Sequence, residues 1–103
     1  MKLSGKDRAE LRAEAHHLKP TVHVGQHGLT PALVQSLDDA LRTHELVKVQ
    51  LGRNVDEKPK DAAHTLGERT GSEVIQVIGR TATLYRYNPD LDDKRGDLPP
   101  WRQ

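Results

Sequence analysis

Residues 21 to 51 constrain the fold more than any other stretch, because they read as a strand, a Gly-x-x-Gly loop, a helix and a second strand in direct succession. Thr21 to Val24 alternates, with Val22 and Val24 on one side and Thr21 and His23 on the other, which is the period of a short strand. Gly25-Gln26-His27-Gly28 follows, and Thr30-Pro31 then opens a helix. Thr supplies an N-cap oxygen, and Pro has no N–H to leave unpaired at the first helical position. Leu33, Val34, Leu37, Ala40 and Leu41 form a helical stripe that carries the segment to about His44. Leu46 to Leu51 alternates again, placing Val47, Val49 and Leu51 on one face and Lys48 and Gln50 on the other. A strand, a helix and a strand in this order predict a parallel crossover.

The same reading extends to both sides. Ser4 with Asp7 three residues on predicts a capped helix beginning near Gly5, with Leu11, Ala15 and Leu18 on one face and Pro20 as its terminator. Asp56 is the expected cap of a third helix that has Pro59 in its first turn, runs through Ala62, Ala63 and Leu66, and stops at Gly71. Val74 to Ile78 reads as a third strand, Gly79-Arg80 as a two-residue hairpin turn, and Thr81 to Arg86 as a fourth strand. The expected order is αβαβαββ in one α/β domain spanning residues 1–87. From Asn88 to Gln103 the composition shifts to scattered charges and prolines, which predicts a flexible tail whose Trp101 is given no role.

Composition narrows the function classes. A chain of 103 residues with 34% hydrophobic content and no Phe must build a lean core from Leu, Val, Ile and Ala. Its net charge is +1, yet the tail holds Asp90, Asp92, Asp93 and Asp97 against Lys94, Arg95 and Arg102, so the preceding part is mildly basic. With no Cys, disulfides, thiolate ligands and Cys nucleophiles are excluded. Met1 to Lys6 is followed by no long apolar run, so the expected location is the cytoplasm, with no membrane partner. His16, His17, His23 and His27 crowd together, but adjacent helical histidines point about 100° apart and no H-x-x-x-H pattern occurs. Asp38 and Asp39 fall mid-helix, Glu45 follows a helix end, and no serine sits on a nucleophile elbow. The expectation is therefore a protein with no catalytic residues, no metal, no cofactor and no small-molecule substrate.

Two readings of the loop fit the residues. Glycines at 25 and 28 let the chain turn with φ > 0 and remove the Cβ atoms that would hold a phosphate away from helix N-terminal N–H groups. The RNA-binding KH module clamps nucleotide backbones with such a loop. Alternatively the glycines are only turn residues, and the chain is a protein-binding adaptor. Lys6, Arg8, Arg12, Lys19, Lys48, Arg80 and Arg86 are the cations able to supply sequence-independent phosphate contacts around the loop.

Several passages, taken in order, resemble the CRM domain of chloroplast RNA splicing and bacterial ribosome maturation proteins, above all its single-domain YhbY-like members. They are Leu3-Ser4-Gly5-Lys6, Arg12 with Ala15-His16-His17-Leu18-Lys19-Pro20, Val24-Gly25-Gln26-His27-Gly28-Leu29-Thr30, His44-Glu45-Leu46-Val47-Lys48-Val49, and Val77-Ile78-Gly79-Arg80-Thr81 to Leu84-Tyr85-Arg86. The resemblance implies a mixed four-stranded sheet packed by helices, similar to the C-terminal domain of a bacterial translation initiation factor. It further implies RNA binding, with precursor large-subunit ribosomal RNA as partner and ribosome assembly as the setting. Carried over by position, Gly25, Gln26, His27 and Gly28 become the RNA-backbone contact, supported by Lys6, Arg12, Lys19, Lys48, Arg80 and Arg86. His44 and Glu45 match the family's helix-to-strand junction and are given no ligand role. One departure stands out: family loops often carry Lys after the first glycine, where this chain has Gln26.

Overall fold

A computed structural model describes residues 3–93. In chain order the elements are α1 (Gly5–Ala15), β1 (Val22–Val24), α2 (Pro31–His44), β2 (Leu46–Leu51), α3 (Pro59–Thr70), β3 (Glu73–Ile78) and β4 (Thr81–Tyr85), followed by a short 3-10 helix (Pro89–Asp93). The predicted αβαβαββ order holds. The strands form one mixed sheet in the order β1-β2-β4-β3, with β1 parallel to β2 and the other two pairings antiparallel.

Local chemistry accounts for most element ends. The Ser4 hydroxyl accepts the Asp7 N–H while the Asp7 carboxylate accepts the Ser4 N–H, closing a capping box. Thr30 caps α2 by accepting the Leu33 N–H at 3.1 Å. Gly71 ends α3 in the left-handed region with φ 66, as a C-terminal glycine should. Two expectations need correction. Asp56 does not cap α3: Lys58 occupies that position and makes no side-chain cap. Helix α1 stops at Ala15, well before Pro20, although Leu18 still packs under it.

The sheet separates two apolar clusters. On one face α2 and α3 cover Val22, Val24, Val47, Val49, Leu51 and Leu84 with Leu37, Leu41, Ala62 and Leu66. On the other, α1 lays Leu11 and Ala15 against Leu46, Ile75 and Tyr85. A register shift between Val74 and Gln76 lets Ile75 join this second cluster as an extra residue on β3. Helix α1 covers only the half of the sheet where β2 begins. The half nearer the C-terminal end of β2 carries His23, Lys48, Gln50, Thr81 and Gln76 uncovered by any helix packing.

The junction between α2 and β2 ties the chain's later residues to the fold. Glu45 is fully buried at φ 64, a region where a non-glycine residue costs roughly 1–3 kcal/mol. Surrounding bonds hold it there. Its N–H donates to Leu41 O at 2.9 Å, its carbonyl accepts the Arg86 N–H at 2.9 Å, and its carboxylate accepts the Asn88 N–H at 2.6 Å. The Asn88 side-chain amide donates to Arg42 O, the Tyr87 hydroxyl donates to Asp92, and Leu91 is buried. Residues 88–93, assigned to the tail on composition, are thus docked. Composition registers polarity, but not the single buried carboxylate that recruits the segment. Trp101 and the rest of 94–103 lie outside the described residues. Among the described residues no helix is long and apolar enough to cross a membrane.

Candidate nucleic-acid interface

Three connections meet at one end of the sheet: the Gly25–Thr30 loop after β1, residues 52–58 after β2, and the β3–β4 turn at Gly79-Arg80. The register puts them there, since Val24 lies opposite Leu51 and Gln50 opposite Thr81. They are bonded to one another. The Gly52 N–H donates to Val24 O at 2.9 Å and the Leu51 N–H to Arg80 O at 2.8 Å. The Arg80 guanidinium donates to the carbonyls of Leu51, Gly52 and Val55, at 2.6 Å for Gly52. Arg80 is therefore a staple for the connection after β2 as well as a positive charge at this end.

The G-x-x-G segment is a single tight turn. Gly25 O accepts the Gly28 N–H at 3.0 Å, placing Gln26 and His27 at the corners, and Gly28 O accepts the Thr30 N–H at 3.0 Å. Either glycine permits positive φ, and only Gly28 uses it, at 71. Gly25 has no such conformational need, and a Cβ there would meet nothing within 4 Å. Its bareness leaves the approach to the turn open. Gly25, Gln26 and His27 are exposed, and no acceptor among the described residues takes the N–H of Gln26 or His27. Immediately behind the turn lies the N-terminus of α2, whose first turn holds no acidic residue. Unbound N–H groups at the positive end of a helix make a local environment favourable to an anion.

Two neighbours of the turn were not foreseen. Arg69 on α3 donates to Leu29 O at 3.2 Å, bringing a cation beside the loop. The Glu57 carboxylate lies 3.6 Å from where a Gly28 Cβ would stand, bringing an anion. Both come from sequence-distant elements, so no local pattern signals either one.

The remaining predicted cations are scattered. Lys48 is half-buried on the uncovered half of the sheet. Exposed Lys19 is near it in the chain path, since the Thr21 N–H donates to Lys48 O at 3.1 Å. Exposed Lys6 sits in the first turn of α1, close in sequence to Arg8, whose guanidinium is held at the far end of the sheet by Glu73 at 2.8 Å. Arg12 is half-buried on the same helix. Arg86 follows Tyr85, which pairs with Leu46 at the opposite end of β2 from the loop. Its guanidinium donates to Asp38 Oδ1 at 2.6 Å, Thr70 O at 2.7 Å and Asp38 O at 3.1 Å. The structure thus does not bring Arg86 to the loop, and its donors hold α2, α3 and the end of β4 together. Among the described residues no three histidine or carboxylate side chains converge as a metal site would require.

The model of the CRS1 / YhbY (CRM) domain matches residues 3–86. "Probable RNA-binding protein YqeI" of Bacillus subtilis is 35% identical over 97 residues, covering 94% of this chain and 99% of the relative. A Haemophilus influenzae protein named "RNA-binding protein" is 34% identical over 84 residues, covering 82% and 85%. The solution structure of the hypothetical protein SAV1595 from Staphylococcus aureus superposes with a TM-score of 0.73 at 37% identity, covering 84% of this chain and 91% of that one. An ordered set of matches over nearly all of the folded residues, with the same three-dimensional arrangement, places this chain in the CRS1/YhbY (CRM) domain family.

Proposed function

We propose that this chain binds RNA without transforming it, gripping backbone phosphates at the Gly25–Gly28 turn, and that its RNA is precursor large-subunit ribosomal RNA during ribosome assembly in the cytoplasm. The observation that carries the reading is the exposed turn with free N–H groups at Gln26 and His27, set at the head of a helix that has no acid in its first turn. The RNA-binding names of the Bacillus and Haemophilus relatives support the same partner class. Because Gln26 brings no charge, the attraction comes from main-chain donors together with the Arg80 and Arg69 charges at this end and with Lys48 and Lys19 beside it. Lys6 and Arg12, along α1, contribute to the general positive field. Such contacts hold a backbone in register without reading bases.

Titrating a fluorescent fragment of large-subunit ribosomal RNA with the protein at several salt concentrations tests the proposal. Saturable binding that weakens linearly in log salt is expected. Absence of saturable, salt-sensitive association would leave the loop as a mere turn and point to the adaptor reading. Glu57 offers a sharper check. Its carboxylate repels any phosphate seated at Gly28, so Glu57→Gln is expected to tighten RNA binding about two- to fivefold at low salt, less at high salt. Unchanged affinity in that variant would place the phosphate away from Gly28.

A further inference from the structure

The uncovered half of the sheet forms an open groove of about 260 Å³ between the end of α1 and the strands. Lys48, Gln76, Thr81 and Thr83 line it between Pro20 and Ile78, which supply apolar walls. Strand order places these walls at opposite edges, since Pro20 leads into β1 and Ile78 ends β3. Ile78 is 59% exposed, a large apolar side chain left in solvent beside polar neighbours. Thr83 is its counterpart: only 2% exposed, it is among the lining residues, and its hydroxyl has no partner among the described residues. A buried polar group without a partner is uncommon in folded proteins and asks for an explanation.

We propose that this groove receives one unpaired nucleobase of the RNA whose backbone is held at the Gly25–Gly28 turn. The inference rests on the RNA-binding reading and adds a second contact to it. A base has apolar faces and a hydrogen-bonding edge, and the groove offers the exposed Ile78 side chain for one face and strand side chains that donate and accept for the edge. Lys48 provides donors only, and Gln76, Thr81 and Thr83 provide both kinds. The volume is below that of drug-sized ligand pockets and suits a single flat ring system. Charge agrees with an RNA partner. On this face of the sheet the acidic strand residue is Glu73, at the far end and paired with Arg8 at 2.8 Å, whereas Lys48 and His16 border the groove itself. The register also places the open half at the same end of the sheet as the turn, so one strand can span both.

The test compares a short single-stranded RNA with the same sequence as a duplex, using the full chain and two variants. Ile78→Asp puts a carboxylate on an exposed wall, and Thr83→Val removes the buried hydroxyl while keeping a β-branched strand residue. Ile78→Asp is expected to weaken single-stranded binding about tenfold, because it removes the apolar contact with the base and sets a carboxylate against the RNA, and Thr83→Val by a smaller factor, with duplex binding nearly unchanged in both. In the parent, adenosine and uridine monophosphates should shift the backbone amide resonances of Thr81, Thr83 and Gln76. If both variants fold and bind single-stranded RNA like the parent while Gly25→Asp loses it, the groove proposal is overturned and the loop reading survives. If the parent binds no RNA, both fall together. Binding of a ribosomal protein that Ile78→Asp abolishes, with RNA affinity intact, would assign the face to a protein and also overturn the proposal.

Discussion

Gly25→Asp is expected to lower RNA affinity at least about tenfold, on the order of 1.4 kcal/mol or more, while leaving the fold intact. The structural cost is small because Gly25 does not need positive φ and a Cβ there meets no atom within 4 Å. A substitution at an exposed site of this kind usually changes stability by about 0.5 kcal/mol or less. The functional cost is large for two reasons. A carboxylate at the first loop position repels phosphate, and it can itself accept the N–H of His27 in an Asx turn, occupying a donor that the RNA requires. Gly28→Asp makes a poorer test. Its φ of 71 strains any residue with a Cβ, and Glu57 stands 3.6 Å from that Cβ, so lost binding there would mix folding with contact. Fluorescence anisotropy for affinity and thermal melting for stability separate the two effects. Normal affinity in a folded Gly25→Asp protein would remove the turn from the interface.

Arg86→Met should have the opposite profile: a loss of about 2–3 kcal/mol of stability, the scale of hydrogen bonds to a charged group, with RNA affinity of the folded protein unchanged. Met keeps much of the aliphatic stem but none of the donors. It leaves the Asp38 carboxylate and the Thr70 carbonyl without the guanidinium that now lies 2.6 and 2.7 Å away. The Arg86 and Asp38 side chains are only 22% and 26% exposed, which limits how far water can replace the lost bonds. For a domain of this size the melting temperature is expected to fall by roughly 10–20 °C. The pH dependence identifies the pair. Hydrogen bonding from Arg86, reinforced by Arg42, holds the Asp38 carboxyl below its usual value of 3.8. A depressed folded value contributes stability that is present above pH 3.8 and lost as pH falls through the folded value. The gap between Arg86→Met and the parent should therefore narrow in strong acid. A variant as stable as the parent, or one that loses RNA binding while still folded, would return Arg86 to the interface.

Arg86 also shows where sequence reasoning reaches its limit. Periodicity and capping chemistry located the elements closely: Thr30-Pro31 opened α2, Gly71 closed α3, and the alternation over Leu46 to Leu51 marked β2. These signals are local, since a helix cap or an alternating strand is legible within a few residues. A cation's role depends instead on what other elements bring to it. Arg80 and Arg86 look equivalent along the chain, yet one staples the loop end and the other binds Asp38 and Thr70 at the far end. The docking of residues 88–93 was hidden for the same reason. It depends on Glu45, a carboxylate buried across 43 residues of sequence separation.

By itself, then, the sequence determined the order of helices and strands, the parallel crossover at its centre and the position of the G-x-x-G turn, because each is encoded in short-range periodicity and backbone preference. Only the tertiary structure decided that Gly28 rather than Gly25 carries the unusual backbone, that Glu57 and Arg69 flank the turn, and that α1 leaves half a sheet face uncovered. Those features arise where separate elements meet, and contacts between distant residues are set by packing the whole domain rather than by any neighbouring residue in the chain.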